Sequence, residues 1–349
     1  MFTRKLICSL SLVMAVMAAI PAAAAEAMAD AQIISVIRKA MSGDGSALQQ
    51  LEADANSGDA KAQVVMGGLY QVGKGVPQSD AKAAQWYQKA AEQGHVEAQR
   101  ILGAWYYKGQ GVKQDYATSA QWFQKAAIQG NTLAQAILGM MYQEGQGVTQ
   151  SDVIAAQWSQ KAAEQGNAGA QYSLGLYYER GQGVAQNYAT AGQWFQKAAE
   201  QGNAGAQTKL GFMYLDGQGV PQNYATAIKW YQKAAEQGYA EAQYNLGVIY
   251  NQGKGVPQDY ATAMQWYDKA ANHGVAEAQF NLGAIYNNGK GVKRDYTAAM
   301  KWYIIAKANG YSDADQYLQE LEAKATPAQI AQAQESAGKW FAAHQPATK

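Results

Sequence analysis

Two Ser-x-x-Lys tetrads, Ser79–Lys82 and Ser336–Lys339, set a lysine one helical turn from a serine hydroxyl. In penicillin-recognising enzymes such a pair supplies nucleophile and base, supported by Ser-Asp-Asn and Lys-Thr-Gly elements. Neither supporting element occurs here, and Ser79 is better explained as a helix cap. The stretch from Gly68 to Lys74 matches most of a phosphate-binding loop, but Gly75 stands where Ser or Thr must hold magnesium. His95 and His273 are far apart in the chain and cannot share a metal; His344 is near the end. Glu97, Glu241 and Glu277 share one register and read as a solvated face, although Glu241 and Glu277 could line one groove. These residues point to no catalytic site, metal or cofactor.

The elements that would carry such residues begin with a leader. Arg4 and Lys5 precede an apolar run from Leu6 to Ile20, then Pro21 and a string of alanines. That is the layout of a secretory signal peptide, with cleavage expected near Ala25. Removing it changes the net charge from +1 to 26 − 27 = −1. A near-neutral chain lacks the electrostatic footprint of a nucleic-acid binder. The lone cysteine, Cys8, leaves with the leader, which excludes disulfides, thiolate metal sites and cysteine nucleophiles from the mature protein. The expected location is periplasmic or secreted, without membrane insertion after cleavage.

The remaining composition is rich in Ala, Gln (44) and Gly (36) and poor in charge, a bias that calls for a repeat search. Tryptophans fall at Trp86, Trp122, Trp158, Trp194, Trp230, Trp266 and Trp302, always 36 residues apart. Gly103, Gly175 and Gly247 belong to a glycine series with the same step, Tyr106 to a tyrosine series, and Gly-x-Gly-Val to a third. Each unit reads as two helices. In residues 95–130, Ala98, Leu102 and Trp105/Tyr106 form the apolar stripe of helix A. Gly109 and Gly111 stop it, Asp115 caps helix B, and Tyr116, Ala120, Phe123 and Ala127 make the second stripe, with Trp122 beside it. Small residues let the helices approach, and Tyr106 and Trp122 are expected to fill the wider gaps. A hairpin of this kind cannot bury both faces alone, so neighbours must stack.

The pattern AxxxLGxxYxxGxGVxxDYxxAxxWYxKAAxQG resembles the Sel1-like repeat, a relative of the tetratricopeptide repeat. The resemblance implies an all-α fold, a right-handed α-solenoid. It covers 59–310 in seven units: 59–94, 95–130, 131–166, 167–202, 203–238, 239–274 and 275–310. Degenerate capping helices are expected at 26–58 and 311–349, with a helix at 30–41, a last helix A after Gly310 and a final helix opened by Thr326-Pro327. No flexible linker separates domains.

By the same resemblance, the stripe of helix A opposite its core would line a concave groove. Its residues change freely from unit to unit. Candidate partner-binding residues are Arg100, Tyr172, Leu176, Phe212, Tyr244, Val248 and Phe280, with the polar neighbours Asn245 and Asn281. Such a strip would anchor a helix or extended peptide; the competing reading is that the aromatics fill gaps between A helices. The expected role is a non-enzymatic scaffold holding a protein or peptide. Alternatives are a cell-wall glycan binder stacking sugars on Tyr172, Tyr244 and Phe280, or a β-lactam-binding protein. The last follows some cysteine-rich Sel1-repeat proteins, whose disulfide in each unit is absent here. The resemblance further implies roles in envelope assembly, signalling or host interaction.

Overall fold

The computed structural model describes Lys39 and residues 44–344. The expected signal peptide at 1–25, Cys8, and the 30–41 helix apart from Lys39 lie outside the described residues, as do 345–349. Among the described residues there are seventeen helices and no strand. They are α1 (Gly45–Asn56), α2 (Ala60–Val72), α3 (Asp80–Glu92), α4 (Val96–Lys108), α5 (Tyr116–Ile128), α6 (Thr132–Glu144), α7 (Asp152–Glu164), α8 (Ala168–Arg180) and α9 (Tyr188–Glu200). There follow α10 (Ala204–Asp216), α11 (Tyr224–Glu236), α12 (Ala240–Gln252), α13 (Tyr260–Asn272), α14 (Ala276–Asn288), α15 (Tyr296–Ala308), α16 (Ala314–Glu322) and α17 (Pro327–His344). Helices α2 to α15 are seven A–B pairs in succession. Two compact units divide them: the first holds the described residues through Ala170 plus Gln182–Val184, the second Gln171–Gly181 and Ala185 onward.

The local logic is clear in α4 and α5. Ala98, Leu102 and Trp105 form the buried stripe of α4. The helix stops at Gly109, whose φ of 75° is left-handed and whose N–H bonds to the Trp105 carbonyl at 2.8 Å. Gly111 has a second constraint: a Cβ there would sit 2.4 Å from the Asp80 carbonyl oxygen of α3. The Asp115 N–H then donates to the Tyr106 carbonyl at 2.9 Å, and the Asp115 carboxylate accepts from the N–H groups of Ala117 and Thr118.

The core ring of each repeat falls on the helix B stripe expected through Ala120, Phe123 and Ala127, although Tyr116 at its start is exposed. It belongs to the residue after the tryptophan: Tyr87, Phe123, Phe195, Tyr231, Tyr267 and Tyr303, all fully buried, with Ser159 in the third repeat. Each ring lies on the recurring glycine of its own A helix. A Cβ on Gly103 would meet Phe123 at 2.8 Å, and one on Gly175 or Gly247 would meet Phe195 or Tyr267 at 2.5 Å. The tryptophans are turned about 100° away on the helix. Trp122 and Trp302 are buried, but Trp86, Trp158, Trp194, Trp230 and Trp266 are half-buried. A lysine ammonium covers the outer face, as for Lys197 at 4.2 Å from the Trp194 centroid.

A buried amide ladder ties neighbouring hairpins together. The Gln99 side chain donates to the Ala91 carbonyl at the end of α3 and accepts from Gln129 at the end of α5, at 3.0 and 2.8 Å. Gln63, Gln135, Gln207 and Gln279 repeat both bonds. In the sixth repeat His273 stands where the others have Gln or Asn, and the buried Gln243 Oε1 has no donor. At the C-terminal end α16 and α17 pack on α15. Thr326 caps α17 reciprocally with Gln329.

Candidate functional site

Most of the proposed partner-binding residues fall in the second unit, on the A helices α8, α10, α12 and α14. One A-helix register there carries Tyr172, Thr208, Tyr244 and Phe280; the register one turn on carries Leu176, Phe212, Val248 and Ala284. Tyr172, Tyr244 and Phe280 are half-buried and rest on the core rings of Phe195, Tyr267 and Tyr303, with centroids 5.9, 6.0 and 5.3 Å apart. Tyr172 also lies across Gly205 of α10, 3.1 Å from where a Cβ would be. Both sequence readings therefore meet in one side chain: an inner edge fills the gap between A helices while an outer edge meets solvent. Phe280 is the most enclosed, stacked on Tyr311 at 4.6 Å and edged by Tyr317 at 5.2 Å. Leu176 and Val248 are half-buried and Phe212 is 42% exposed. Burial pushes the Tyr172 phenol up to about 12, with Tyr239, Glu241 and Glu179 adding to the shift.

Asn245 and Asn281 are half-buried and lie in the register of Lys209. That register faces the preceding A helix, because Lys209 Nζ pairs with Glu179 of α8 at 2.9 Å. The equivalents of Glu179 are Leu215, Asn251 and Asn287, so a seam rich in amides runs beside the aromatic strip. Arg100 is in the first unit and stands apart from this group. It is only 5% exposed, and Glu97 one turn earlier accepts its Nε and guanidinium hydrogens. Its burial and this ion pair within α4 argue against recognition at that position.

The chemistry-bearing motifs resolve into architecture. Ser79 Oγ caps α3 by accepting from the Lys82 N–H at 3.3 Å, and Lys339 pairs with Glu335 at 2.6 Å. Gly68 to Lys74 is the end of α2 and its left-handed turn, with no strand before it. His95 caps α4 through Nδ1. Among the described residues no cluster of His, Cys, Asp and Glu could hold a metal. The shared glutamate register has a helix-end explanation. Other A helices are capped by Asp59, Asn131 or Asn203, whereas Tyr239 and Val275 give α12 and α14 no side-chain cap bond. Glu241 and Glu277 sit in the first turns of those two helices, where negative charge offsets the unmet N–H groups.

Sequence reasoning passed over the tyrosyl hydroxyls beneath the seam. The ring position holds Phe in two repeats and Tyr in four, and that alternation was the available signal.

Seven consecutive helix pairs without strands, each pinned by a glycine-marked turn, define a helical-hairpin repeat protein. The Sel1 repeat model matches residues 60–95, 96–131, 132–167, 168–203, 204–239, 240–275 and 276–311. The chain belongs to the Sel1-repeat family. It is similar to c5321, a protective antigen present in uropathogenic Escherichia coli strains that displays an SLR fold. That likeness has 39% identity and a TM-score of 0.74 over 85% of this chain, and spans 63% of the length of c5321. It is also similar to a Sel1 repeat protein from Oxalobacter formigenes, with 33% identity and a TM-score of 0.65, over 86% of this chain and 92% of that one. No curated protein matches the chain. Sel1-repeat arrays are in general non-catalytic scaffolds for protein–protein interaction. Among the described residues no helix is long and apolar enough to cross a membrane.

Proposed function

We propose that the chain is an exported, non-enzymatic scaffold that holds a segment of a partner protein against the A-helix face of its second unit. The observation that carries this reading is the strip of Tyr172, Leu176, Phe212, Tyr244 and Val248. These side chains keep solvent-facing apolar surface at registers where Thr208 and Ala284 serve the fold equally well. Residues 1–25 support export, because their charged start, short apolar run and alanine string have the form of a cleavable leader. In this reading 26–58 and 311–349 cap the seven-repeat body, and the partner belongs to the bacterial envelope or to a host encounter.

A photo-crosslinker at position 212, in living cells, tests the reading. Trapping of a protein is expected, and Leu176→Ala with Tyr244→Ala should abolish it while circular dichroism stays helical. Trapping that survives the double substitution, or peptidoglycan retained in place of protein, would overturn the assignment.

A further inference from the structure

Three consecutive repeats of the second unit bury a phenol whose oxygen has no partner at ordinary hydrogen-bond geometry. Tyr231, Tyr267 and Tyr303 are fully buried, and their hydroxyl oxygens have no hydrogen-bond partner. Such a group costs roughly 1–3 kcal/mol when left unmet. Phenylalanine would avoid that cost, and Phe123 and Phe195 fill the same position in other repeats. In the first unit the equivalent Tyr87 hydroxyl is satisfied, donating to Gln71 Oε1 at 2.9 Å. The register of Gln71 in the second unit holds Leu215, Asn251 and Asn287, and the facing register holds Asn245, Asn281 and Tyr317. Burial raises the pKa of Tyr267 and Tyr303, and Asn281 and Asn287 pull them partly back, so these amides lie beside the phenols. Neither contact reaches ordinary hydrogen-bond geometry.

The carboxamide torsion of asparagine is broad and roughly two-fold, so turning it costs little. An amide that accepts from the phenol beneath it points its NH2 group outward at the seam. The phenols, one repeat apart, then lock Asn245 of α12 and two amides of α14, Asn281 and Asn287, whenever something outside uses them. Successive A helices lie roughly 10 Å apart, which is three residues of extended chain at about 3.3 Å each. A helical ligand has already spent its backbone carbonyls, whereas an extended one offers them. Charge narrows the choice further. Exposed Asp216, Glu241 and Glu277 border the seam, while Lys209 is paired with Glu179.

Building on the A-face reading above, we infer that this seam binds an extended, lysine- or arginine-bearing peptide segment, whose carbonyls are taken by Asn245, Asn281 and Asn287 as Tyr231, Tyr267 and Tyr303 orient them.

The test uses the full chain and fluorescence anisotropy at physiological ionic strength. The probe is a labelled peptide of alternating lysine and valine about ten residues long, enough to span three repeats. The comparison probe replaces lysine with glutamate. The cationic peptide is expected to bind at least about tenfold more tightly than the anionic one. The triple variant Tyr231→Phe, Tyr267→Phe, Tyr303→Phe should weaken its binding by about tenfold or more. The melting temperature of that variant should equal or exceed the parent's, because only unmet hydroxyls are removed. Absence of cationic binding, equal binding of the two peptides, or parental affinity in the triple variant would overturn the inference. So would weaker binding accompanied by a lower melting temperature, which would assign the hydroxyls to the fold. If crosslinking at position 212 persists while these outcomes fail, the A-face reading stands and the extended-peptide reading falls.

Discussion

The two compact units share one scaffold and differ at the register between successive A helices and in the rings of the B helices beneath it. In the first unit the register of Asn245 holds Val65, Ile101 and Ile137, and the ring position holds Tyr87, Phe123 and Ser159. The second unit has Ser173, Lys209, Asn245 and Asn281 above Phe195, Tyr231, Tyr267 and Tyr303. Glycine seats, turn glycines and the buried glutamines are the same in both. The contrast teaches that packing sets one group of registers and leaves the other open, so recognition chemistry can be written onto one unit without disturbing the hairpins.

The largest effect should come from the shared part. Phe123→Ala in the first unit and Phe195→Ala in the second should each cost about 3–5 kcal/mol in urea unfolding. Trp194→Ala should cost less than Phe195→Ala, because the indole is half-buried. Equal losses at 194 and 195, or a cheap loss in only one unit, would break the claim of a common core. An intermediate effect concerns the amide ladder. His273→Gln should stabilise the second unit by about 1 kcal/mol by giving the Gln243 oxygen a donor, and Gln165→His should take a similar amount from the first. No change from either would mean the ladder is decorative. The smallest effect belongs to the first unit. Burial holds the His95 pKa below its ordinary 6.5, despite the opposing pull of Glu97. The folded state therefore favours neutral His95, whose Nδ1 cap is present above pH 6.5 and fades as pH falls below it. The hydrogen-exchange protection factor at the first turn of α4 should fall with acid, by a loss worth about 1 kcal/mol or less. His95→Asn should make it independent of pH over that range.

Much of this was legible in the residues. The 36-residue step, the left-handed turn at Gly109 and the Asp115 cap follow from residue type and spacing. The Phe123 stripe was legible too, but how deeply its neighbour Trp122 is buried was harder, because the two are adjacent and a helical stripe read at 3.6 residues per turn accommodates either. What decides is the flat seat that Gly103 offers one of them, a tertiary fact. The glutamine ladder was missed because glutamine reads as surface, yet Gln99 and Gln129 recur together 30 residues apart, and that paired beat was visible. The tyrosine hydroxyls lay beyond reach, since Tyr and Phe fill one shape and only the surroundings of Leu215 or Gln71 tell whether the oxygen is met.

The ladder also bears on how such a chain changes length. Each closed rung is local: Gln99 reaches back to Ala91 and forward to Gln129. Excision or duplication of one 36-residue cassette therefore rejoins like to like and leaves no amide stranded. Gain or loss of one repeat thus leaves the glutamine bonds at the junction matched. The same event next to His273 would copy or erase the one described rung that is already open.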